Sequence, residues 1–239
     1  TGRPAGVDED EPERVARAVS NLGLRHAVIT SVARDELTDG GASIFARTLE
    51  ALHRHCPGTS VEALIPDFKG NLDALKTVLD AAPDILNHNL ESVPRLYPQM
   101  RPQAGYQRSL QLLDRARKMS SAPTKSGIML GAGETAVEIE QALRDLAAAQ
   151  CSILTIGQYL SPSADHMPVK RFVKPEEFDE WREFSMGLGF LHVESGPLVR
   201  SSYHAEKQLP GSTVVSRTLV EAPPFATVTP TYSTHPTTP

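Results

Sequence analysis

The sequence has 239 residues, of which 40% are hydrophobic, and it carries a formal net charge of −5. This length allows one large α/β domain or two small ones, and the acidic balance excludes a generally basic surface for nucleic acid. No apolar run reaches the roughly 18 residues that a membrane-spanning helix needs, so neither a nucleic acid nor a membrane is expected as a partner.

Six short apolar runs alternate with segments of helical periodicity along the chain. The runs are rich in Val, Ile and Leu without clean polar alternation, which is typical of strands buried on both faces of a parallel sheet. The predicted strands are His26–Val32, Val61–Pro66, Ile85–Leu90, Lys125–Leu130, Ile153–Leu160 and Phe190–Gly196. The predicted helices are Glu11–Leu22, Ala42–His55, Leu72–Ala82, Tyr106–Lys118, Glu134–Gln150 and Pro175–Leu188.

This alternation predicts repeated βαβ units that form an α/β fold, a partial (β/α) TIM-like barrel. An open dinucleotide-binding fold is disfavoured because no G-x-G-x-x-G follows the first strand. The series opens with a helix, so we expect the first barrel strand to lie upstream of Thr1. We predict a barrel domain over residues 1–209 and a disordered tail over 210–239, which is rich in Pro and Thr.

Polar residues collect where the predicted strands end, and that edge carries the chemistry in parallel barrels. Asn87, Asn89 and Glu91 are predicted to share one face of the third strand, where they need partners or a ligand. Two other clusters have ordinary explanations as well. Asp39-Gly40-Gly41 also fits a turn that caps a helix, and Gly131-x-Gly133-Glu134 also fits a tight turn into a helix.

Two cysteines occur, Cys56 and Cys151, and they are far apart in the sequence. This spacing does not suit a disulfide framework, and the number excludes a self-contained zinc or iron–sulfur site. We interpret both as structural thiols in a reducing bacterial cytoplasm.

Several long strings resemble lipoyl synthases, a family of radical S-adenosylmethionine (radical SAM) enzymes. They occur in the family's order from Glu11 to Gln208, whereas the Pro/Thr-rich tail lies outside the resemblance. The strings are VITSVARDELTDGGA, EALIPDF, NHNLESVPRLY, RPQAGYQRSLQLL, TKSGIMLGAGET, GQYLSPS, FVKPEEFDE and GPLVRSSYHAEKQ.

The resemblance implies a radical SAM barrel with two 4Fe–4S clusters and S-adenosylmethionine as cofactors. Their cysteine ligands would precede Thr1, and Ser202 of the R-S-S-Y motif would be a ligand of the auxiliary cluster, with Ser201 as the second candidate. The glycine motif of the family corresponds to Asp39-Gly40-Gly41, although Ala42 replaces its usual acid. The other residues that the resemblance implies in cofactor binding are Asn89, Glu91, Lys125, Gly131, Glu134 and Gln158.

The implied reaction is sulfur insertion at C6 and C8 of an octanoyl group on a carrier-protein lysine. The implied partners are octanoylated lipoyl-carrier domains (2-oxoacid dehydrogenase E2 and glycine cleavage H protein) and an electron donor such as ferredoxin or flavodoxin. Lys170, Arg171 and Lys174 either steer the carrier or belong to a solvated loop. Because the cysteine motifs are absent, we expect the 239-residue chain alone to bind no cluster and to be inactive.

Two other functions remain open at this point. A catalytically inactive relative would still dock lipoyl-carrier domains, and a barrel aldolase would use Lys125 as a Schiff-base lysine. The number of matching strings disfavours the aldolase, and the coding sequence upstream of Thr1 would separate the synthase from the inactive relative.

Overall fold

The computed structural model describes residues 6–205, so the predicted tail over 210–239 lies outside the described residues. Six parallel strands form one sheet in the sequential order β1-β2-β3-β4-β5-β6. The strands are β1 His26–Thr30, β2 Ser60–Leu64, β3 Ile85–Asn87, β4 Thr124–Leu130, β5 Ile153–Gln158 and β6 His192–Gly196.

Seven α-helices are found within the described residues, and all but one had been predicted. They are α1 Glu11–Leu22, α2 Ala42–His55, α3 Leu72–Asp80, α4 Tyr97–Met100, α5 Tyr106–Met119, α6 Ala136–Ala148 and α7 Pro175–Gly187. Short 3-10 helices span Phe68–Gly70 and Pro94–Leu96. Helix α1 precedes β1, and in the sheet of residues 6–205 no ladder joins β1 to β6. The sheet is therefore an open, partial barrel, as predicted.

Local sequence explains where several helices begin and end. Pro12 lies in the first turn of α1, where its missing N–H costs nothing. Gly23 ends the same helix in the left-handed conformation, with φ of 59°. Helix α6 begins with a capping box, in which Thr135 and Glu138 each bond the other's backbone N–H.

Apolar side chains fill the space between the sheet and the surrounding helices in two clusters. One contains Leu113, Ile128, Leu143 and Ile156, and the other contains Leu49, Leu52, Val61 and Val78. The inner side of the sheet is different, because it buries the polar side chains of Glu62, Asn87 and Lys125. The packing of the helices thus leaves a polar barrel interior.

No helix within residues 6–205 combines the length and apolar character needed to cross a membrane.

Candidate functional site at the carboxyl ends of the strands

The third strand ends earlier than predicted, and this changes where its polar residues lie. Strand β3 stops at Asn87, and Glu91 adopts a positive φ of 71°. Glu91 still bonds β4, because its N–H donates to the Gly127 carbonyl at 2.8 Å and its carbonyl accepts from Met129 N–H at 2.9 Å. The three polar side chains therefore do not share one regular strand face, which corrects that prediction.

Asn87 faces the barrel interior below the mouth. Its Nδ2 donates to Glu62 Oε1 at 2.6 Å, and Lys125 Nζ lies 2.9 Å from Glu62 Oε2. Burial lowers the pKa of Lys125 in spite of the attraction of Glu62. Burial raises the pKa of Glu62, but His26 and Lys125 outweigh it and hold that pKa below its usual value. The ammonium of Lys125 thus contacts Glu62, and its contact with a cofactor stays a prediction.

Asn89 and Glu91 line a cavity of about 200 Å³ at the carboxyl edge of the sheet, called here the strand-end cavity. Asn89 Oδ1 is buried and has no hydrogen-bond partner among the described residues. Burial raises the pKa of the Glu91 carboxyl against the opposing charge of Arg101. The other walls include Gly127, Thr155, Arg200 and Ser201.

Two glycines allow this cavity to form. A Cβ on Gly127 would lie 2.6 Å from Thr155 Oγ1 and 3.0 Å from Asn89 Oδ1. A Cβ on Gly157 would lie 2.3 Å from the Val199 carbonyl oxygen. The segment after β6 therefore crosses directly over β5 and closes one side of the cavity.

The Asp39-Gly40-Gly41 cluster caps α2, which was its ordinary explanation. Asp39 accepts hydrogen bonds from Gly41 N–H and Ser43 N–H, both at 2.9 Å. Partial burial raises the pKa of Asp39, but the bonds from Ser43 and Gly41 outweigh it and lower that pKa. Gly40 and Gly41 line two neighbouring cavities rather than the strand-end cavity. Their role in cofactor binding stays a prediction.

Glu134 holds the turn after β4. Its Oε1 accepts from Gly131 N–H at 2.5 Å, and its Oε2 accepts from Ala132 N–H at 2.9 Å. Gln158 also bonds backbone groups, because its Oε1 accepts from Val173 N–H at 2.8 Å. Both side chains thus shape the mouth by fixing backbone, and direct contacts to a cofactor stay predictions.

The two serines after β6 face different spaces. Ser201 lines the strand-end cavity, whereas Ser202 is exposed and lines a cavity of about 450 Å³ beside β1, with Arg25 and His26. Glu194 Oε1 lies 3.7 Å from His204 Nδ1 and so contacts the turn that carries both serines. The proposed metal ligation by Ser202 stays a prediction.

The residues that line the strand-end cavity suit one part of an S-adenosylmethionine molecule. Asn89 Oδ1 and the Glu91 carboxyl offer acceptors to ribose hydroxyls or an ammonium group, and Arg200 offers donors to a carboxylate. Since ligand pockets usually enclose ~300–1,000 Å³, the strand-end cavity suits one portion of the cofactor.

The cysteines of the chain do not fit as cluster ligands. Cys56 and Cys151 are 7% and 5% exposed and lie in the apolar core. Burial raises the pKa of Cys151 to about 12, which disfavours the thiolate that iron requires. No group of three or more His, Cys, Asp or Glu in residues 6–205 is arranged to hold a metal ion.

Sequence reasoning missed Thr155 and Glu62. Each is a polar residue inside an apolar strand, in ILTIGQ and SVEAL, and this interruption was the available signal. Arg101 Nη1 donates to the Asn89 carbonyl at 2.9 Å, which ties the short helix α4 to the segment after β3.

The chain is similar to a family model, to individual relatives and to solved structures. The family model of the radical SAM superfamily matches residues 1–146. A lipoyl synthase of Rubrobacter xylanophilus is 57% identical over 209 residues, covering 87% of this chain and 65% of that relative. A lipoyl synthase of Roseiflexus sp. is 56% identical over 207 residues, covering 85% of this chain and 68% of that relative. The chain thus spans about two thirds of the length of these relatives.

Solved structures share the fold at low sequence identity. Methylornithine synthase superimposes with a TM-score of 0.59 at 12% identity, covering 84% of this chain and 66% of that protein. HydG, a maturase of the FeFe-hydrogenase, superimposes with a TM-score of 0.60 at 13% identity, covering 81% of this chain and 50% of that protein.

Proposed function

The chain belongs to the lipoyl synthase family of the radical SAM superfamily, and we propose that the complete protein is a lipoyl synthase. Its reaction would insert sulfur at C6 and C8 of an octanoyl chain attached to a protein lysine. The same proposal assigns it to the bacterial cytoplasm.

One structural observation supports this proposal most strongly. The buried, unpartnered Asn89 Oδ1 and the Glu91 carboxyl share a cavity with Ser201 at the carboxyl edge of the sheet. A buried acceptor without a partner costs free energy unless a ligand supplies a donor. The cavity therefore suits a polar ligand, and its position is the one where parallel barrels bind ligands.

The proposed cofactors are S-adenosylmethionine and two 4Fe–4S clusters. When bound, they supply the one-electron chemistry that breaks unactivated C–H bonds, which acid–base groups cannot do. In this chain, Asn89 and Glu91 would hold the ribose of S-adenosylmethionine, and Ser202 would hold iron.

The chain's own part in the reaction would be to position the reactants and exclude water. Glu134 and Gln158 fix the backbone of the mouth through hydrogen bonds to Gly131 and Val173. Val199 and Arg200 cover one side of the strand-end cavity. An octanoyl chain would have to enter from the open side of this mouth, which implies a carrier that docks there.

The proposed partners are octanoylated carrier domains, namely those of 2-oxoacid dehydrogenase E2 and glycine cleavage H protein, and a ferredoxin or flavodoxin as electron donor.

The test uses the complete protein, reconstituted anaerobically with iron and sulfide. It is mixed with S-adenosylmethionine, a reductant and an octanoyl-lysine peptide, and the peptide is analysed by mass spectrometry. The proposal expects a lipoyl-lysine peptide, and a peptide without the octanoyl group serves as the control. A reconstituted protein that binds octanoylated carrier but leaves both cofactor and octanoyl chain unchanged would instead identify an inactive docking relative.

A further inference from the structure

Arg101 is the first residue after helix α4, and its guanidinium group reaches back to the segment that follows β3. Its Nη1 donates to the Asn89 carbonyl at 2.9 Å, and its Cζ lies 5.9 Å from the centroid of the Tyr97 ring. A cation over an aromatic face at this distance is attracted to it. The backbone N–H of Arg101 also donates to the Tyr97 carbonyl at 2.8 Å. Both the backbone and the side chain of Arg101 are therefore held in place.

The same short helix holds the next residue of that segment as well. The Tyr97 hydroxyl donates to the Leu90 carbonyl at 2.5 Å, and Leu90 N–H donates to Ser126 Oγ at 3.0 Å. Glu91 follows with its positive φ of 71°, a conformation that costs free energy in a residue other than glycine and persists only where neighbouring contacts fix it. Helix α4 and the residue after it thus bond two consecutive carbonyls, those of Asn89 and Leu90, directly before this strained position.

Arg101 also acts on Glu91 through its charge. Burial raises the pKa of the Glu91 carboxyl, and the positive charge of Arg101 opposes that rise. The charge thus favours the ionised carboxylate, whose oxygens only accept hydrogen bonds. Asn89 and Glu91 line the strand-end cavity, whereas Arg101 is not among the residues that line it. A ligand in this cavity would therefore meet the two acceptors and not the arginine behind them.

The backbone of Asn89 needs such support because the sheet does not provide it. The ladder between β3 and β4 ends at Asn87 and resumes only as an isolated bridge at Glu91. Asn89 lies in the gap, and the bond from Arg101 secures its carbonyl there. Because a misplacement of ~1 Å can cost about a hundredfold in the rate of a reaction, groups that hold ligands depend on the contacts that fix them.

We propose that Arg101 is a positioning residue, which aims Asn89 and Glu91 at the ligand of the strand-end cavity. It does so through its bond to the Asn89 carbonyl and its attraction for the Glu91 carboxylate. This inference rests on the proposed function, in which the ligand is the ribose part of S-adenosylmethionine. Arg101 itself does not touch the cofactor. Its loss should therefore weaken every ligand that carries this ribose, whether or not the ligand also carries the methionine part.

The test measures the affinity of the complete reconstituted protein for two ligands by equilibrium dialysis. One is S-adenosylmethionine, and the other is 5′-methylthioadenosine, which keeps the ribose but lacks the amino-acid carboxylate. Arg101→Met is expected to weaken both by the same factor, about tenfold. Arg101→Lys, which keeps the charge but loses the planar fork of donors, should weaken both by about threefold. Arg117→Met is the matched control and should change neither affinity, since Arg117 also donates to backbone carbonyls, those of Ser121 and Ala122, but before the amino end of β4.

A double-mutant cycle tests whether Arg101 acts through Asn89. In the Asn89→Ala background, Arg101→Met should weaken binding by a smaller factor than in the wild type, because the acceptor that Arg101 aims is gone. The urea unfolding midpoint is measured for every variant, and each affinity is expressed per folded protein. If Arg101→Met folds poorly, the same cycle is run with Arg101→Lys.

The outcomes separate this inference from the proposed function. Wild-type affinities for both ligands in Arg101→Met would overturn the positioning role, even if the wild type makes lipoyl-lysine. A loss confined to S-adenosylmethionine would also overturn it, because Arg101 would then contact the amino-acid part directly. Equal factors in the wild-type and Asn89→Ala backgrounds would show that Arg101 does not act through Asn89, which overturns it as well. A wild type that shows the expected dependence on Arg101 but inserts no sulfur would support the positioning role and refute the proposed reaction.

Discussion

Lys125 Nζ lies 2.9 Å from Glu62 Oε2, and both side chains are completely buried on the inner side of the sheet. Each charge compensates for the desolvation of the other, and Asn87 bonds the second oxygen of Glu62 at 2.6 Å. Such a pair adds little net stability, but removing one partner leaves an uncompensated buried charge. The barrel interior below the mouth thus depends on both residues together.

Lys125→Met should destabilise the protein strongly, because the Glu62 carboxylate would remain buried without its partner. The expected loss in the free energy of unfolding is about 3–5 kcal/mol, measured by urea denaturation. The double variant Glu62→Gln with Lys125→Met should be more stable than Lys125→Met alone, since the charge is removed as well. Lys76→Met, which breaks the exposed pair of Lys76 with Asp80, is the control and should change little. A double variant that is no more stable than Lys125→Met alone would contradict the ion pair.

His88 should make stability fall as the pH falls below neutrality. Burial lowers the pKa of His88 to about 4, and its ring bonds the Ile65 carbonyl and the Ser109 hydroxyl, both at 2.9 Å. An unfolded histidine has its ordinary pKa of about 6.5. The unfolded state therefore binds the proton first, and stability present above pH 6.5 is lost as the pH falls toward 4.

For His88 alone, the coupling of proton binding to unfolding predicts that the free energy of unfolding falls by about 2 kcal/mol between pH 7 and pH 5. Urea denaturation gives the free energy of unfolding at both pH values. His88→Gln should be less stable than the wild type at pH 7, but its free energy of unfolding should fall less between pH 7 and pH 5. His53→Gln, at an exposed position of α2, should keep the wild-type pH dependence. If His88→Gln also kept it, the buried neutral state of His88 would be refuted.

Gly157→Ala should disturb the segment over the strand-end cavity, because the new Cβ would lie 2.3 Å from the Val199 carbonyl oxygen. The expected cost is more than about 1 kcal/mol in the free energy of unfolding, with faster hydrogen exchange in residues 197–205. Gly187→Ala is the matched control, since nothing lies within 4 Å of a Cβ there. Its last-turn position in α7 should make it neutral or stabilising by up to ~1 kcal/mol. If Gly157→Ala and Gly187→Ala had the same free energy of unfolding and the same hydrogen exchange in residues 197–205, residues 199–200 would not pack on β5.

Asn89→Ala should weaken the binding of S-adenosylmethionine to the complete reconstituted protein. The variant loses an acceptor for a cofactor hydroxyl, and one hydrogen bond is worth about 0.5–1.5 kcal/mol, or up to about tenfold in affinity. Equilibrium dialysis measures the affinity, and Asn21→Ala, at an exposed position of α1, serves as the control. An unchanged affinity for Asn89→Ala would remove Asn89 from the proposed cofactor site.

The sequence predicted the regular part of the fold well. Helices α1 and α2 were predicted with their observed bounds, because their apolar periodicity is strong and turn residues flank them. Helix α4 was missed, since it has only four residues and contains Pro98. The order of the strands followed from the βαβ alternation, which leaves few ways to arrange a parallel sheet.

For the site, the sequence predicted which strand ends contribute residues but not the contacts that those residues make. Strand β3 was predicted three residues too long, because no local pattern shows that Glu91 adopts a positive φ. The roles of Glu134 and Gln158 depend on distant backbone, at Gly131 and at Val173. Long-range contacts of this kind leave no periodic signal in the sequence, so they had to be read from the structure.

The most direct measurement of the central claim is a crystal structure of the complete, reconstituted protein with S-adenosylmethionine. The account predicts the ribose within hydrogen-bond distance of Asn89 or Glu91, at the carboxyl ends of β3 and β4, with a hydroxyl of the Ser201–Ser202 turn bound to iron. Cofactor density at the amino ends of the strands, or on the outer face of the helices, would contradict it.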